Sequence, residues 1–382
     1  MSVTHRSEGT QDAVTIVHAS TPRQVKQFIE FPFEMYANDP RWIPELRRDA
    51  YRRLSAKHNP FLAHAEVALF LAVADGRTVG RIAAIEDHGH NAYHHERLAW
   101  FGFFEARDAA IAAALLAAVE RWSAARGCTA VRGPANPSLN ESAGLLVHGF
   151  DDDPYLLMPH NPPEYAAFIE GAGYVKAMDL LGWDVDLTRP LGPRIEKLAD
   201  RARRRNDIQV RRVEMKHFDR DLALMQSIYR SAWEDNWGFV PPTDAEMRQL
   251  ATDLKPIIDP DLVLFAESSG RAIATVVLLP DVNQVLKRMN GDLWPFGLWH
   301  FVNRKKIINR CRLVLLGVMA EHRNRGLYPL LISEVHRRAV ANGYIRGECS
   351  WTLEDNHAVN AGITASGGRR SRIYRLYEKP IR

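Results

Sequence analysis

The sequence predicts an α/β protein in which one folding unit occurs twice. Its strongest local signal is at 313–328, where an apolar strand runs directly into an Arg-x-x-Gly turn that opens an amphipathic helix. A second observation is an internal repeat, because strand pairs divided by a Gly-Arg turn occur in both halves of the chain. A third is the end of the chain, where strand, turn, helix and strand alternate over 346–377.

The elements after the turn follow in a clear order. Pro329 sits in the first turn of the helix, where a missing N–H costs little. Beyond Gly343 we predict a strand at 346–353, a short helix after Asn356 and a final strand at 372–377. The helix itself should bury one apolar face, formed by Leu327, Leu330, Leu331, Val335 and Ala339.

The repeat defines the domain organisation. A turn around Gly76 divides strands predicted at 67–74 and 78–86, and a turn around Gly270 divides strands at 262–268 and 272–280. A linker predicted at 187–206 contains two prolines and a glycine, which places a boundary between domains 1–190 and 191–382. Further correspondences join Glu105 with Glu321, Arg107 with Arg323, Gly127 with Gly343, and Asn161 with Asn356.

The two copies differ where an anion would bind. Gly326 can adopt φ > 0, and Arg323 and Arg325 add positive charge beside a helix N-terminus. The corresponding position in the first copy is Ala110, which cannot adopt φ > 0 cheaply. We therefore expect only the second copy to hold a phosphate-like group on this turn, although an ordinary strand–turn–helix with solvated arginines has the same local pattern.

Composition excludes several classes of protein. The chain has 382 residues, 46% hydrophobic and 25% charged, and a net charge of +4, which fits a globular protein with an anionic ligand. Three widely spaced cysteines form no CxxC pair, which suits a reducing cytoplasm and gives no metal or disulfide framework. We expect a cytoplasmic protein, with no signal peptide and no transmembrane helix.

The hexapeptide Arg323-Asn324-Arg325-Gly326-Leu327-Tyr328 resembles the [Gln/Arg]-x-x-Gly-x-[Gly/Ala] motif of the GCN5-related N-acetyltransferase (GNAT) superfamily, except that Tyr328 replaces its last small residue. The order of elements over roughly 205–382 is also similar to the GNAT C-terminal half. The resemblance implies two tandem GNAT-like domains, each a mixed, largely antiparallel sheet flanked by helices, with a degenerate first copy.

The resemblance also implies a reaction and its donor. Acetyl-CoA or another acyl-CoA would be the substrate, an amine would accept the acyl group, and no metal would take part. Coenzyme A would contact the backbone near Val318, Met319 and Ala320. The amides of Arg323, Asn324, Arg325, Gly326, Leu327 and Tyr328 would hold its pyrophosphate, and Asn356 would contact the pantetheine or position the acceptor.

Candidate catalytic side chains are few. Glu321, at the end of the cofactor strand, is the candidate base, with Glu354 and Asp355 as alternatives. The tyrosine acid that many GNAT enzymes carry about seven residues after the asparagine corresponds here to Ile363, which cannot serve. The general acid is therefore unassigned.

Two insertions distinguish the copies. The first copy gains an Asn-, Pro- and Gly-rich loop at 133–163, which predicts either a binding loop or a domain-interface loop. The second gains 281–310, where the aromatic block 293–301 precedes Arg304, Lys305 and Lys306. This insertion could cover a long acyl chain, make peripheral membrane contact through 293–306, or pack on the other domain.

Other patterns predict less. We expect His88, His90, His94 and His95 to lie in a solvated loop rather than to bind a metal. The arginine run at 201–205 indicates a solvated helix rather than a nucleic-acid site. The acceptor is then a small or lipid-like amine. The alternatives to a general amine acyltransferase are a long-chain N-acyltransferase of a lipid-like acceptor and a non-catalytic acyl-CoA-binding protein, and the oligomeric state is not predicted.

Overall fold

A computed structural model describes residues 14–205, 207–292 and 297–381. The strands are β1 (Thr15–His18), β2 (Ala65–Ala74), β3 (Arg77–Asp87), β4 (Leu98–Ala106), β5 (Ala130–Gly133), β6 (Leu145–His148), β7 (Val175–Asp186), β8 (Ile208–Arg212), β9 (Val263–Ser268), β10 (Arg271–Pro280), β11 (Arg310–Val318), β12 (Arg346–Leu353) and β13 (Arg369–Pro380). The helices are α1 (Pro22–Met35), α2 (Arg47–Arg53), α3 (His88–His94), α4 (Ala109–Ala124), α5 (Tyr165–Gly171), α6 (Pro193–Arg203), α7 (Phe218–Trp233), α8 (Asp244–Leu254), α9 (Asn283–Met289), α10 (Gly297–Val302), α11 (Arg304–Ile307), α12 (Leu327–Ala341) and α13 (His357–Ala365).

These strands form one continuous mixed sheet. Its order is β1-β2-β3-β4-β5-β13-β7-β12-β11-β10-β9-β8, and β6 pairs with β13 beside this path. The hairpins β2–β3 and β9–β10 match the predicted repeat, and their turns contain Gly76 and Gly270, both at positive φ. The α/β fold and the repeated unit are therefore confirmed.

The two copies exchange their last strands. β7, the last strand of the first copy, pairs with β12 and β13 of the second copy. β13, the last strand of the second copy, pairs with β5, β6 and β7, all from the first copy. The sequence predicted two sheets, and the exchange joins them into one. At its centre Arg375 of β13 donates two hydrogen bonds to Asp179 of β7, at 2.8 and 3.1 Å.

Helices cover both faces of each half of the sheet. In the first half α1 packs on one face and α4 on the other, and in the second half α7 and α12 do the same. Successive side chains of a strand point to opposite faces of the sheet. Because β3 and β10 have apolar residues on both faces, helices are needed to cover each face. All five residues of the predicted α12 face are buried.

One local prediction was wrong. The histidine segment 88–95 is mostly helical, because the Asp87 side chain accepts hydrogen bonds from the amides of Gly89 and His90 and so caps α3. The predicted linker 187–206 contains α6, which includes the first residues of the arginine run at 201–205 and packs on α12.

Charge and hydropathy also constrain the described parts of the chain. Within them no helix is both long and apolar enough to cross a bilayer. Nor do their His, Cys, Asp and Glu side chains form any group of three that could hold a metal ion.

Candidate functional site

The Arg-x-x-Gly turn forms an open helix N-terminus. After β11 the chain makes a single 3-10 turn at Ala320–His322, and Asn324 and Gly326 both take positive φ, 67° and 78°. No described side chain caps α12, so the first amides of this helix have no side-chain hydrogen bond among the described residues. Such amides and the helix dipole attract an anion.

The two arginines of this turn, Arg323 and Arg325, differ in their contacts. Arg325 forms an ion pair with Asp207 and also contacts His322 at 3.2 Å. Burial alone would raise the pKa of Asp207, but its hydrogen bond with Arg325 holds that pKa below its usual value. Arg323 is exposed and makes only a long contact, 3.5 Å, with the carbonyl of Ala232. Arg323 is therefore the arginine with donors available to an anion.

Next to the turn, β11 and β12 separate. The two strands are parallel neighbours from the pair Arg310–Arg346 to the pair Leu313–Cys349. Beyond that pair β11 continues beside β10 and β12 continues beside β7, so the facing edges at 314–318 and 350–353 have no pairing with each other. We call this gap the splay. Its unpaired backbone groups can bond to an extended ligand that carries amides.

An apolar groove lies against the base of the splay, between α12 and α13. It is open to solvent, and its cavity volume is about 50 Å³. Leu313 and Cys349, the last paired residues before the splay, both line it. The other lining residues are Val185, Leu187, Leu191, Leu278, Cys311, Tyr328, Ile332, Val335, His336, Gly347, Glu348, Ile363 and Ser366.

In the first half both corresponding features are filled. The carboxylate of Asp108 accepts a hydrogen bond from the amide of Ile111 at 2.8 Å, so the N-terminus of α4 already holds a negative charge. Between β4 and β5 the loop inserts Ala135 and Asn136, which bond to Phe101 and Phe103 of β4. A phosphate would meet the Asp108 carboxylate there, and an extended ligand would meet the loop residues Ala135 and Asn136. The loss of cofactor binding in this copy stays a prediction.

A buried ion cluster lies below the splay and shares Glu348 with the lining of the groove. It consists of Arg312, Glu348, Ser350 and Arg372. Arg312 donates to the Ser350 hydroxyl at 2.9 Å and to its carbonyl at 3.0 Å. Arg372 donates to Glu348 Oε1 at 3.1 Å, whereas Glu348 Oε2 is buried and has no hydrogen-bond partner among the described residues. Burial raises the pKa of the Glu348 carboxyl, although Arg372 and Arg312 oppose the shift.

The first copy completes this cluster from across the interface. Arg312 donates to the carbonyl of Leu156 at 2.6 Å, and Arg372 donates to the carbonyl of Asp153 at 2.9 Å. The amide of Leu156 in turn donates to Asp281 at 2.9 Å. Farther along the same loop, Asn140 donates to the carbonyl of Val240 at 3.1 Å. These contacts make 133–163 an interface loop, the second of its two predicted roles.

The structure separates the sequence-predicted carboxylates. Glu321 lies on the turn with 54% of its side chain exposed, 3.8 Å from Arg271. Glu354 is held at the end of β12, where it accepts from Lys176 at 2.7 Å and from the amide of Asp179 at 3.1 Å. Asp355 is exposed beside it. None of the three adjoins the base of the splay.

The predicted cofactor residues cluster more closely. Val318, Met319 and Ala320 end β11 and lead into the turn, but the amide of Met319 already bonds to Ile273 and that of Ala320 to Ser231. Asn356 begins α13 and accepts from the amide of Val359 at 3.3 Å. Of the aromatic block, 293–296 lies outside the described residues, and Trp299 on α10 is 64% exposed.

Sequence reasoning missed the buried ion cluster. Its signal was present, because Arg312 and Glu348 interrupt otherwise apolar strands, where a charge requires a buried partner. The partner of Glu348, however, is Arg372 on an exchanged strand, and one partner of Arg312 is a carbonyl of the first copy. Neither could be found from the local pattern.

Comparisons with known proteins give consistent results. No model of a known protein family matches the chain. The bacterial ceramide synthase of Caulobacter vibrioides (strain NA1000 / CB15N) is 38% identical over 385 residues, covering 98% of this chain and 99% of that protein. Protein YghO of Escherichia coli (strain K12) is 36% identical over 367 residues, covering 94% of this chain and 93% of that protein.

Solved structures identify the fold. A tandem GNAT protein from the clavulanic acid biosynthesis pathway superposes with a TM-score of 0.58 at 14% identity, covering 96% of this chain and 98% of that one. The resemblance to tandem GNAT proteins is thus confirmed, and the relatives support an acyltransferase as the class of enzyme. The chain belongs to the family that includes the Caulobacter ceramide synthase and protein YghO, and it has the tandem GNAT fold.

Proposed function

We propose that the protein transfers an acyl group from an acyl-CoA thioester to the amine of a lipid-like acceptor. The observation that carries this proposal is the contrast between the two halves. The second half combines an uncapped helix N-terminus with a splay, whereas the first half fills both with its own residues. Anion binding and an extended amide-bearing arm are the two demands that coenzyme A makes on a protein.

The residues that would hold acyl-CoA follow from this geometry. The amides at the start of α12, with Arg323, would hold the pyrophosphate. The free edges of β11 and β12 would bond to the pantetheine amides. Asn356, at the start of α13, lies beyond the end of β12 and would border the same arm. When bound, acyl-CoA supplies the thioester carbon that the amine attacks.

Proton transfer has a candidate in the buried ion cluster. As the amine nitrogen bonds to the acyl carbon, the carbon–sulfur bond breaks and the sulfur leaves as a thiolate. The ammonium must also lose a proton, and we propose Glu348 Oε2 as its acceptor, because Glu348 lies one residue below the splay and this oxygen has no hydrogen-bond partner among the described residues. The leaving thiolate takes a proton from a group that we leave unassigned.

The Caulobacter relative, which matches over nearly the whole of both chains, supports a lipid-like acceptor. A ceramide is an amide between a fatty acid and a long-chain amino alcohol, so the name of the Caulobacter protein describes acyl transfer to a lipid amine. At 38% identity over nearly the whole of both chains, the same reaction class is the natural proposal here.

Calorimetry with coenzyme A tests the binding half of the proposal. Gly326→Asp places a negative charge at the phosphate position and should weaken binding at least tenfold, about 1.4 kcal/mol. Gly326→Asn is the matched control, because asparagine, like aspartate, tolerates the positive φ of this position but carries no charge. Ala110→Asp makes the same change in the first copy and should have no effect. Equal affinities for the Asp and Asn variants would reject the phosphate site.

Turnover tests the catalytic half. With a long-chain acyl-CoA and a long-chain amino alcohol, mass spectrometry should detect the amide and free coenzyme A in equal amounts. Tight binding of coenzyme A without any amide, over a panel of lipid amines, would instead favour the non-catalytic acyl-CoA-binding protein.

A further inference from the structure

Helix α6 packs against the Arg-x-x-Gly turn. A Cβ placed on Gly326 would lie 3.3 Å from the Cβ of Ala202 and 3.7 Å from the carbonyl oxygen of Leu198, and both of these residues are on α6. The arginine run at 201–205 includes Ala202, so it lies beside the uncapped N-terminus of α12. The turn therefore borders a second basic segment that is remote from it in sequence.

The two flanks of α6 face different parts of α12. On one flank Glu196 accepts a hydrogen bond from Ser333 at 3.0 Å, and Arg203 donates to the same hydroxyl at 2.7 Å. Ser333 lies about two turns along α12 from Gly326. Residues 196 and 198 are about 200° apart around a helix, so Leu198 is on the opposite flank. That flank faces the start of α12, where the turn is.

An exposed basic row runs along the flank that faces the turn. Arg194, Leu198 and Arg201 follow one another at spacings of four and three residues, so they project from one side of α6. Arg205 continues the row just beyond the helix, where its amide donates to the carbonyl of Ala202 at 3.1 Å. The three arginines are exposed, and Leu198 is 38% exposed. We call Arg194, Leu198, Arg201 and Arg205 the α6 strip.

Neighbouring carboxylates do not neutralise the α6 strip. Asp200 pairs with Arg203 at 2.7 Å, and Asp207 pairs with Arg325. The arginines of the strip form no ion pair and no side-chain hydrogen bond within the parts of the chain that the structure describes. An arginine side chain with its donors available suits phosphate oxygens, to which it can donate two hydrogen bonds at once.

We propose that the α6 strip binds the 3′-phosphate of coenzyme A and so selects complete coenzyme A over its 3′-dephospho form. This inference rests on the proposed function, in which the pyrophosphate lies at the start of α12. Only a ribose ring separates the two phosphate groups of the ligand, so a pyrophosphate on the turn leaves the 3′-phosphate within reach of arginines beside the turn. Arg201 and Arg205 are the arginines of the strip nearest to Ala202 and would bind it. The exposed side chain of Leu198 would contact the adenine ring.

Calorimetry with coenzyme A and with 3′-dephospho-coenzyme A tests this site. The two ligands share the pyrophosphate and the pantetheine arm and differ only in the 3′-phosphate. The unmodified protein should bind coenzyme A at least about tenfold more tightly, because a hydrogen bond between charged groups contributes about that factor. In the double variant Arg201→Gln with Arg205→Gln, the affinity for coenzyme A should fall to that for the dephospho form. The affinity for the dephospho form itself should change by less than about twofold.

Arg121→Gln is the matched control, because Arg121 is also an exposed arginine in the last turn of a helix, α4. It should leave the ratio of the two affinities unchanged. All three substitutions are at exposed positions, so the variants should fold. Equal affinities of the unmodified protein for the two ligands would overturn this inference, and so would a double variant that weakens both ligands equally. If neither ligand binds the unmodified protein, the proposed function is rejected and this inference with it.

Discussion

The two oxygens of the Glu348 carboxylate differ in their hydrogen bonding. Its carboxylate is wholly buried, and a buried charge is costly unless it is paired and hydrogen-bonded. Arg372 satisfies one oxygen, while the other has no partner within the described residues. Proteins retain such groups where they have a use, because replacement by an apolar residue is often neutral for stability. Its position below the splay is the reason that we propose it as the proton acceptor.

The Glu348→Gln substitution tests the proton acceptor. A base works only when deprotonated, and burial raises the pKa of Glu348, so the rate should fall on acidification at a higher pH than for an ordinary carboxylate. The glutamine variant should lose roughly 100-fold or more in kcat and also lose that acidic limb. A pH–rate profile measured beside Glu321→Gln decides between the two carboxylates. If only Glu321→Gln removes the limb, the sequence-based candidate is the base.

Some residues were predictable because their reason is local. Gly326 takes the positive φ that its motif required, and Ala110 lies in a helix whose N-terminus is already capped by Asp108. The role of Glu348 was not predictable, because the partner of its charge lies on an exchanged strand. Local backbone requirements can be derived from sequence, whereas long-range pairing cannot.

At the scale of elements, periodicity predicted α12 well. Five apolar positions at helical spacing are all buried, because a helix can satisfy that pattern in only one orientation. The same reasoning failed for 88–95, where no apolar period exists and the Asp87 cap determines the helix. The segment 281–310 was predicted as an insertion, and it contains α9, α10 and α11. Its contact with a membrane remains a prediction.

The Trp299→Ala substitution tests that contact. Trp299 and Val302 are exposed on α10, and Lys305 and Lys306 follow on α11, also exposed. Exposed tryptophan and lysine together favour the surface of an anionic bilayer, where each basic residue contributes about 1 kcal/mol. Cosedimentation with anionic vesicles should decrease in Trp299→Ala but not in Val175→Ala, an equally exposed apolar site. Equal losses, or binding only to neutral vesicles, would exclude this surface.

For the whole molecule, the main feature is the exchange of β7 and β13. β13 alternates between buried and half-buried residues over much of its length, whereas β7 is buried over six consecutive residues. Either pattern fits a strand of either copy, so nothing in their sequence states which copy they complete. The repeat predicted two similar units correctly and could not predict that their last strands cross over. The boundary near residue 190 remains a prediction about sequence units, since each half of the sheet contains a strand from the other side of it.

Expression of residues 191–382 alone tests the interdependence of the halves. In that fragment β13 would lose every strand it pairs with, and β12 would lose its β7 neighbour. We expect aggregation or non-cooperative unfolding, measured by circular dichroism and size-exclusion chromatography, and rescue on co-expression with 1–190. A soluble fragment that unfolds cooperatively and binds coenzyme A would contradict this expectation.

The position of β13 also has a consequence for synthesis on the ribosome. At about 5–20 residues per second, residues 1–382 take roughly 20–75 s to translate, and β13 follows every other described strand. Until then the edge of β5 has no partner on one side, and unpaired strand edges are sites of aggregation. The nascent chain therefore cannot complete its first half before β13 has been translated, and we expect its yield in cells to depend on chaperones that shield the unpaired edge of β5.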